Sequence, residues 1–248
     1  MHIDLNDHVA LVTGAAHRVG KAIALALAQS GVHVLIHYNR AVPDQLRDTL
    51  HEIKSFGVDA FAVQADLGRP DGIDTIMAAV QENFGRLNIL VNSASVFPTG
   101  DLLDITLESW DETFNVNLRA PFLLTQKSAR LMRQNKPSGG VIINICDRGV
   151  DRPWKARPHH GVSKAALWAL TQVSAVSLAP DIRVNAIIPG PVMKTNDGMS
   201  DETWESIGNM LPLKRTGDPS DVGRAVVYLA QEDFLTGTLI HVNGGEHL

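Results

Sequence analysis

With 248 residues, 27 acidic and 22 basic side chains and a formal charge of −5, the chain can fill one large core or two small ones, but it lacks the basic excess that nucleic acid or an anionic membrane would select. A single cysteine, Cys146, excludes an internal disulfide and a cysteine-based metal centre, and no apolar run approaches the ~20 residues that cross a bilayer. The ten histidines are scattered, only His159 and His160 being adjacent, so no metal site is expected; a cytoplasmic protein acting on a small molecule is.

The first apolar run, residues 8–12, predicts a strand, and it ends at Thr13-Gly14-Ala15-Ala16-His17-Arg18-Val19-Gly20. Val19, Ala22, Ile23, Ala26 and Leu27 then follow the spacing of one buried helical stripe, which Gly31 stops. A strand that turns tightly into a helix lets backbone N–H groups and the positive helix end face a pyrophosphate, and Gly14 and Gly20 remove side chains where the backbone must approach closely. Glycines that merely end a strand are the competing reading, but their place at the first strand-to-helix junction predicts a dinucleotide site that takes in His17, Arg18 and Val19.

The second run, residues 32–36, ends in His37-Tyr38-Asn39-Arg40, with no acidic residue before Asp44. An acid there would meet the ribose of NAD, whereas basic residues favour the 2′-phosphate of NADP; Arg40, joined by Arg18, therefore predicts NADP(H). Solvated surface arginines are the alternative. A helix at 44–56 and a strand at 60–63 lead to Asp66 and Leu67; a helix at 71–84 and a strand at 89–91 lead to Asn92-Ser93-Ala94-Ser95. These follow strand ends on the same edge and are expected to line the adenine and ribose path. A long helical stretch at 107–133, a strand at 141–145, a helix at 161–178, a strand at 183–188, a helix at 220–230 and a strand at 238–242 complete the alternation, with no repeat or linker. Strands that are apolar throughout are buried on both faces. The prediction is one α/β domain over residues 1–248, a doubly wound Rossmann fold whose seven-stranded parallel sheet has helices on both faces.

Together with Asn117, Lys164 and Pro189-Gly190, these residues resemble the short-chain dehydrogenase/reductase family over essentially the whole chain. Thr13-Gly14 begins a turn similar to the family's glycine motif, Asn92-Ser93-Ala94 resembles its Asn-Asn-Ala-Gly motif, Asn117 falls at its active-site asparagine, and Gly161-Val162-Ser163-Lys164 ends its Tyr-x-x-x-Lys motif. Val242-Asn243-Gly244-Gly245 is also similar to its ending. Within the family the resemblance is to pteridine reductases and bacterial dihydromonapterin reductases. Arg18 stands for the middle glycine of the turn, His37-Tyr38-Asn39-Arg40 looks like their His-Tyr-x-Arg segment, Phe97 falls where they carry an aromatic that stacks on the pterin, and Asp147 takes the usual serine position. The resemblance implies a homotetramer and further cofactor contacts at Pro189, Gly190 and Val192. Loops at the carboxyl edge of such sheets often cover a substrate, so the loop Trp154-Lys155-Ala156-Arg157 and the segment 191–204, with Met193 and Trp204, are expected to form a lid. An ordinary surface loop and a core aromatic are the other readings of the lid and of Phe97.

Where the family places its catalytic tyrosine, four residues before Lys164, this chain has His160. The tyrosine donates a proton as hydride arrives, its phenol acidified by the lysine, which also binds the nicotinamide ribose. An imidazole with a pKa near ~6.5 needs less help than a phenol near ~10. A carboxyl in a partly dry cleft has a raised pKa and delivers a proton, so Asp147 is expected to be the main proton source, with His160 orienting substrate or relaying the proton and Lys164 holding the ribose. The expected activity is NADPH-dependent reduction of a C=N or C=O group in a pterin-like heterocycle. A general carbonyl or enoyl reductase, or a catalytically degenerate NADPH-binding sensor or assembly subunit, are the alternatives.

Overall fold

The computed structural model describes residues 2–40, 43–194 and 198–248. Its elements run β1 Val9–Thr13, α1 Arg18–Gln29, β2 His33–Tyr38, α2 Pro43–Lys54, β3 Ala60–Gln64, α3 Pro70–Asn83, β4 Ile89–Asn92, α4 Leu107–Phe114, α5 Ala120–Met132, β5 Gly140–Ile145, α6 Pro158–Leu178, β6 Ile182–Pro189, α7 Asp201–Met210, α8 Pro219–Gln231 and β7 Leu239–Val242. The strands form one parallel sheet in the order β3-β2-β1-β4-β5-β6-β7. Every run predicted as a strand is one.

The apolar character of the strands follows from their place. The central strands β1 and β4 are buried throughout, while β3 and β7 at the edges are partly exposed. Successive side chains alternate between faces. Ala10 and Val12 of β1 pack with Ile23 and Leu27 of α1 and Val226 of α8, and Val9 and Leu11 pack on the other side with Ile76 of α3 and Leu124 of α5. The predicted two-sided cover is what the chain builds.

Two elements differ from expectation. The helical stretch predicted at 107–133 is interrupted by a π-helical turn, Asn115–Arg119, whose wider winding carries Asn117 inward to full burial. Helix α7 was not predicted, although its start is signalled in the sequence: the Ser200 hydroxyl accepts from Thr203 N, and Asp201 and Glu202 occupy the positive first turn.

The chain moves outward from β1 to β3 and then returns to add β4 on the other side of β1, which opens a crevice at the carboxyl ends of these two strands. Its walls are tied together closely. Thr13 Oγ1 accepts from Ser93 N and Ala94 N, each at 3.0 Å, and donates to Val91 O at 3.4 Å. Gly14 has φ 66° and lies so near the next wall that a Cβ would come within 2.9 Å of Ala94 Cα. His37 Nδ1 accepts from Gly14 N at 3.3 Å, so its proton sits on Nε2, which donates to Ala65 O at 3.1 Å. Burial lowers the His37 pKa against the opposing effects of Ala65 and Asp66, and the ring works as a neutral clamp between the loops after β1 and β3.

Replacing Thr13 by the isosteric valine leaves two part-buried backbone donors without their acceptor. Thr13→Val is expected to lower the unfolding free energy by about 1–3 kcal/mol in urea titrations, with the denaturant slope unchanged.

Candidate active site

Two cavities share the crevice, with Arg18, Val19, Ser93 and Ser95 common to both. The first, of about 820 Å³, is lined by Gly14, His17, Arg18, Val19, Gly20, His37, Tyr38, Asn39, Arg40, Asp66, Leu67, Ser93 and Ala94, and so gathers most of the residues predicted to hold a dinucleotide. Lys164, Pro189, Gly190 and Val192 line the second cavity, and of the predicted set among the described residues only Asn92 lines neither. Its side chain turns down into the sheet, where Nδ2 donates to Asn144 Oδ1 at 2.8 Å, so it supports the groove from below and does not line it.

The glycine turn fits a pyrophosphate on its own geometry. A Cβ on Gly20 would lie 2.2 Å from Gly14 O, which leaves no room for any other residue. His17 precedes α1 without a side-chain cap, and no acidic residue stands in the first turn, so the leading N–H groups are left to an anion. Arg18 adopts φ 56°, a left-handed conformation suited to glycine, and reaches Lys194 O at 2.8 Å. Arg40 is exposed at the end of the groove.

The second cavity, of about 930 Å³, brings together Phe97, Asp147, Trp154, His160, Lys164, Pro189, Gly190, Val192, Met193 and Trp204. The lid predicted from residues 191–204 contributes Pro191, Val192, Met193, Met199 and Trp204 to its wall; positions 195–197 of that segment lie outside the described residues. Phe97 is 36% exposed, with its ring edge-on to His160 (centroids 4.5 Å apart) and to Trp154 (5.6 Å), so it is a wall of the cavity and not a core residue.

Helix α6 presents His160 and Lys164 one turn apart, both 3% exposed. His160 Nδ1 lies 2.9 Å from Val96 O, an acceptor only, and 3.3 Å from Asn117 Nδ2; the shorter contact places a proton on Nδ1. Nε2, the other ring nitrogen, is buried with no hydrogen-bond partner and lies 3.8 Å from Asp147 Oδ2, a distance for electrostatic attraction and too long for a hydrogen bond. Lys164 Nζ donates to Ile145 O at 2.8 Å, and burial lowers its pKa against the raising effects of Cys146 and Asp147. Cys146 beside it is inert, its thiol pushed up to about 12 by burial.

Asp147 corrects a prediction. Burial does push its carboxyl upward, but His160 beside it and hydrogen bonds from Trp154 Nε1 and Gly149 N outweigh that effect, and the net shift is downward. Asp147 is therefore held as a carboxylate, which removes the basis for making it the main proton source. The sequence hid this because the decisive groups, the donor Trp154 and the nearby His160, stand seven and thirteen positions away and are brought to Asp147 only by the fold.

Asn117 touches neither cavity. Its Oδ1 accepts from Val96 N at 2.9 Å, and Nδ2 donates to Val96 O and to Ser163 Oγ, each at 3.1 Å. It positions the carbonyl that orients His160, and Ser163, which the sequence did not single out as a site residue, completes that contact. Arg157, at the end of the predicted lid loop, and Arg148, a candidate partner of Asp147, instead face the aromatic rings. Arg148 Cζ stacks 3.5 Å from the Trp154 ring centroid, and Arg157 Cζ lies 3.8 Å from that of Phe97. Among the described residues no cluster of His, Cys, Asp or Glu could hold a metal ion, and no helix is long and apolar enough to cross a membrane.

The family model for enoyl-(acyl carrier protein) reductase matches residues 14–247. The chain is 35% identical over 246 residues to the 3-oxoacyl-[acyl-carrier-protein] reductase FabG of Staphylococcus aureus, covering 96% of this chain and 98% of that one. Among solved structures, FolM alternative dihydrofolate reductase 1 from Brucella canis, complexed with NADP, superposes with a TM-score of 0.91 at 34% identity over 98% of this chain and 95% of the other. L-sorbose reductase from Gluconobacter frateurii, complexed with NADPH and L-sorbose, superposes at 0.90 with 27% identity over 99% of both chains.

The lowered Asp147 pKa has a pH signature. A carboxyl whose folded value lies below its unfolded value adds stability that is fully present above the unfolded value of about 3.9 and lost as pH falls through the folded one. Asp147→Asn should therefore be less stable than the parent at pH 7. The gap should close in acid, as read by thermal unfolding across a pH series.

Proposed function

The chain belongs to the short-chain dehydrogenase/reductase family, and on that premise we propose that it reduces a C=N or C=O group in a planar, pterin-like heterocycle. It is an oxidoreductase, and its cofactor is NADP(H). The observation that carries the finer reading is Phe97, whose half-open ring stands in the cavity wall beside the unpartnered Nε2 of His160 and can cover one face of a flat substrate. The 34% identity to FolM supports it.

The residues fit the cofactor in order along the crevice. Gly14, Gly20 and the start of α1 take the pyrophosphate, Arg40 with Arg18 the 2′-phosphate, Asp66 and Leu67 the adenine side, Ser93 and Ala94 with Lys164 the nicotinamide ribose, and Pro189, Gly190 and Val192 the nicotinamide end. When bound, NADPH supplies the hydride. The chain supplies the proton and the charge around it. His160, protonated at Nε2 as well as Nδ1, gives the Nε2 proton to the substrate nitrogen or oxygen as negative charge develops there, and is left as neutral imidazole. Asp147 stays ionised and stabilises the imidazolium; Asn117 holds the Val96 carbonyl that orients the ring. The tyrosine's usual task thus passes to a histidine with a carboxylate partner.

A general carbonyl or enoyl reductase is the second reading, favoured by the 35% identity to FabG. The proposal also includes a cytoplasmic protein assembled as a homotetramer, supported by the exposed Phe122 of α5 and Val173 and Val176 of α6.

Titration with both reduced cofactors should show NADPH binding at least about tenfold tighter than NADH, and Arg40→Ala should erase most of that difference. Equal affinities in the parent would remove the role of Arg18 and Arg40.

Steady-state rates with NADPH and a 7,8-dihydropterin test the substrate class. Phe97→Ala should raise KM for the pterin by about tenfold or more while changing KM for a small aliphatic ketone less than twofold, and His160→Phe should lower kcat by about 10²–10⁴. Ready reduction of simple ketones with no reduction of any dihydropterin would decide for the second reading.

A further inference from the structure

The larger cavity carries a charge imbalance that proton delivery does not use. Among the described residues its lining holds the cationic side chains of Arg18, Arg148, Arg152, Arg157 and Lys164 and the acidic ones of Asp147 and Glu246; in the proposed reading Arg18 and Lys164 face the cofactor, and Arg148 and Arg152 stand apart from it. Both acids are engaged, Asp147 by Trp154 and Gly149, and Glu246 by Arg148, whose NH1 donates to Oε1 at 2.7 Å. Arg152 is different. Its NH1 donates to the backbone oxygen of Glu246 at 2.8 Å, and no carboxylate among the described residues pairs with it.

Arg148 is built into the wall, and Arg152 stands exposed beside it. Arg148 is clamped between the Trp154 ring and Glu246, and its Nε is buried without a hydrogen-bond partner. Arg152 holds the backbone of the same glutamate, so the two guanidinium groups meet at one point of the wall. Neither lines the groove that takes the cofactor phosphates. Much of the remaining wall is apolar, with Trp204, Ile207, Met210 and Leu211, and walls of that kind focus the field of the cations into the cavity. Guanidinium groups in such a setting select planar or tetrahedral oxyanions, and the Glu246 carboxylate on Arg148 shows that the site accepts one.

We propose that the substrate carries an anionic group, a carboxylate or a phosphate, remote from the carbon that is reduced, and that Arg152 together with Arg148 receives it. The proposal rests on reading this cavity as the substrate pocket. It is independent of the pterin ring.

The test is calorimetric titration of the NADP⁺-saturated protein with 2-naphthoate, 2-naphthyl phosphate and the neutral 2-naphthamide, three flat probes that are neither pterins nor reducible substrates. At least one anion should bind about tenfold or more tighter than the amide at low salt, and the tighter of the two identifies the group. Arg152→Gln should bring that anion to within about twofold of the amide. The amide's own affinity should move less than twofold. Because the probes lack the pterin ring, a chain that reduces no dihydropterin can still show the anion preference, and one that reduces them can lack it. Equal binding of amide and anions, no binding of either anion, or an anion preference that survives Arg152→Gln would each overturn the proposal.

Discussion

The close approach of the turn after β1 to the turn after β4 is the constraint on which the site depends. One hydroxyl, Thr13 Oγ1, accepts two backbone N–H groups from the opposite wall, and Gly14 has no side chain to hold the walls apart. From there a buried polar ladder runs downward and across. The register of β4 with β5 sets Asn92 beside Asn144, whose Nδ2 donates to Thr171 Oγ1 at 2.8 Å. Thr171 lies on α6, the helix that carries His160 and Lys164. The height of the reacting side chains relative to the cofactor turn is thus fixed by hydrogen bonds between side chains that are themselves sealed in the core.

Much of this frame was legible in the sequence because it rests on local rules. Apolar runs without alternation announced a parallel sheet, and Thr13-Gly14 at a strand-to-helix junction announced the turn. What escaped depended on contacts between segments far apart in the chain. Asn92 reads like a groove residue by position, but its partner is Asn144 on the next strand. Asn117 sits within an unbroken helical period, which does not disclose a change in winding. The direction of the Asp147 shift is a contest between burial and three donors or charges, and the sequence offers no way to judge which prevails. Helix α7 is the exception, since Ser200 and the acids behind it were a readable start signal.

Arg18 joins the two halves of the site. It lines both cavities from a backbone conformation that suits glycine better, at a cost of order 1 kcal/mol that only function or packing would maintain. The reacting end separates its charges by depth. Lys164 and the Asp147 and His160 pair lie against the sheet, while Arg148 and Arg152 stand further along the loop, fastened to Glu246. In the proposed readings, proton chemistry and anion recognition therefore use different groups.

The π turn between α4 and α5 has a consequence for how this site can be lost. Each residue added to an ordinary helix rotates the chain beyond it by about 100°, and a wide turn absorbs part of such a rotation within one winding. Here it lets α5 keep Leu124 and Ala129 against the sheet while Asn117 is pushed toward Val96. Removing one residue from 115–119 would restore a regular helix at little expense to the core. The same deletion would swing the asparagine away from the carbonyl that aims His160. A change of length by one residue in this segment would therefore separate the fold from the aim of His160, leaving the sheet and the dinucleotide groove in place while the contact between Asn117 and Val96 is lost.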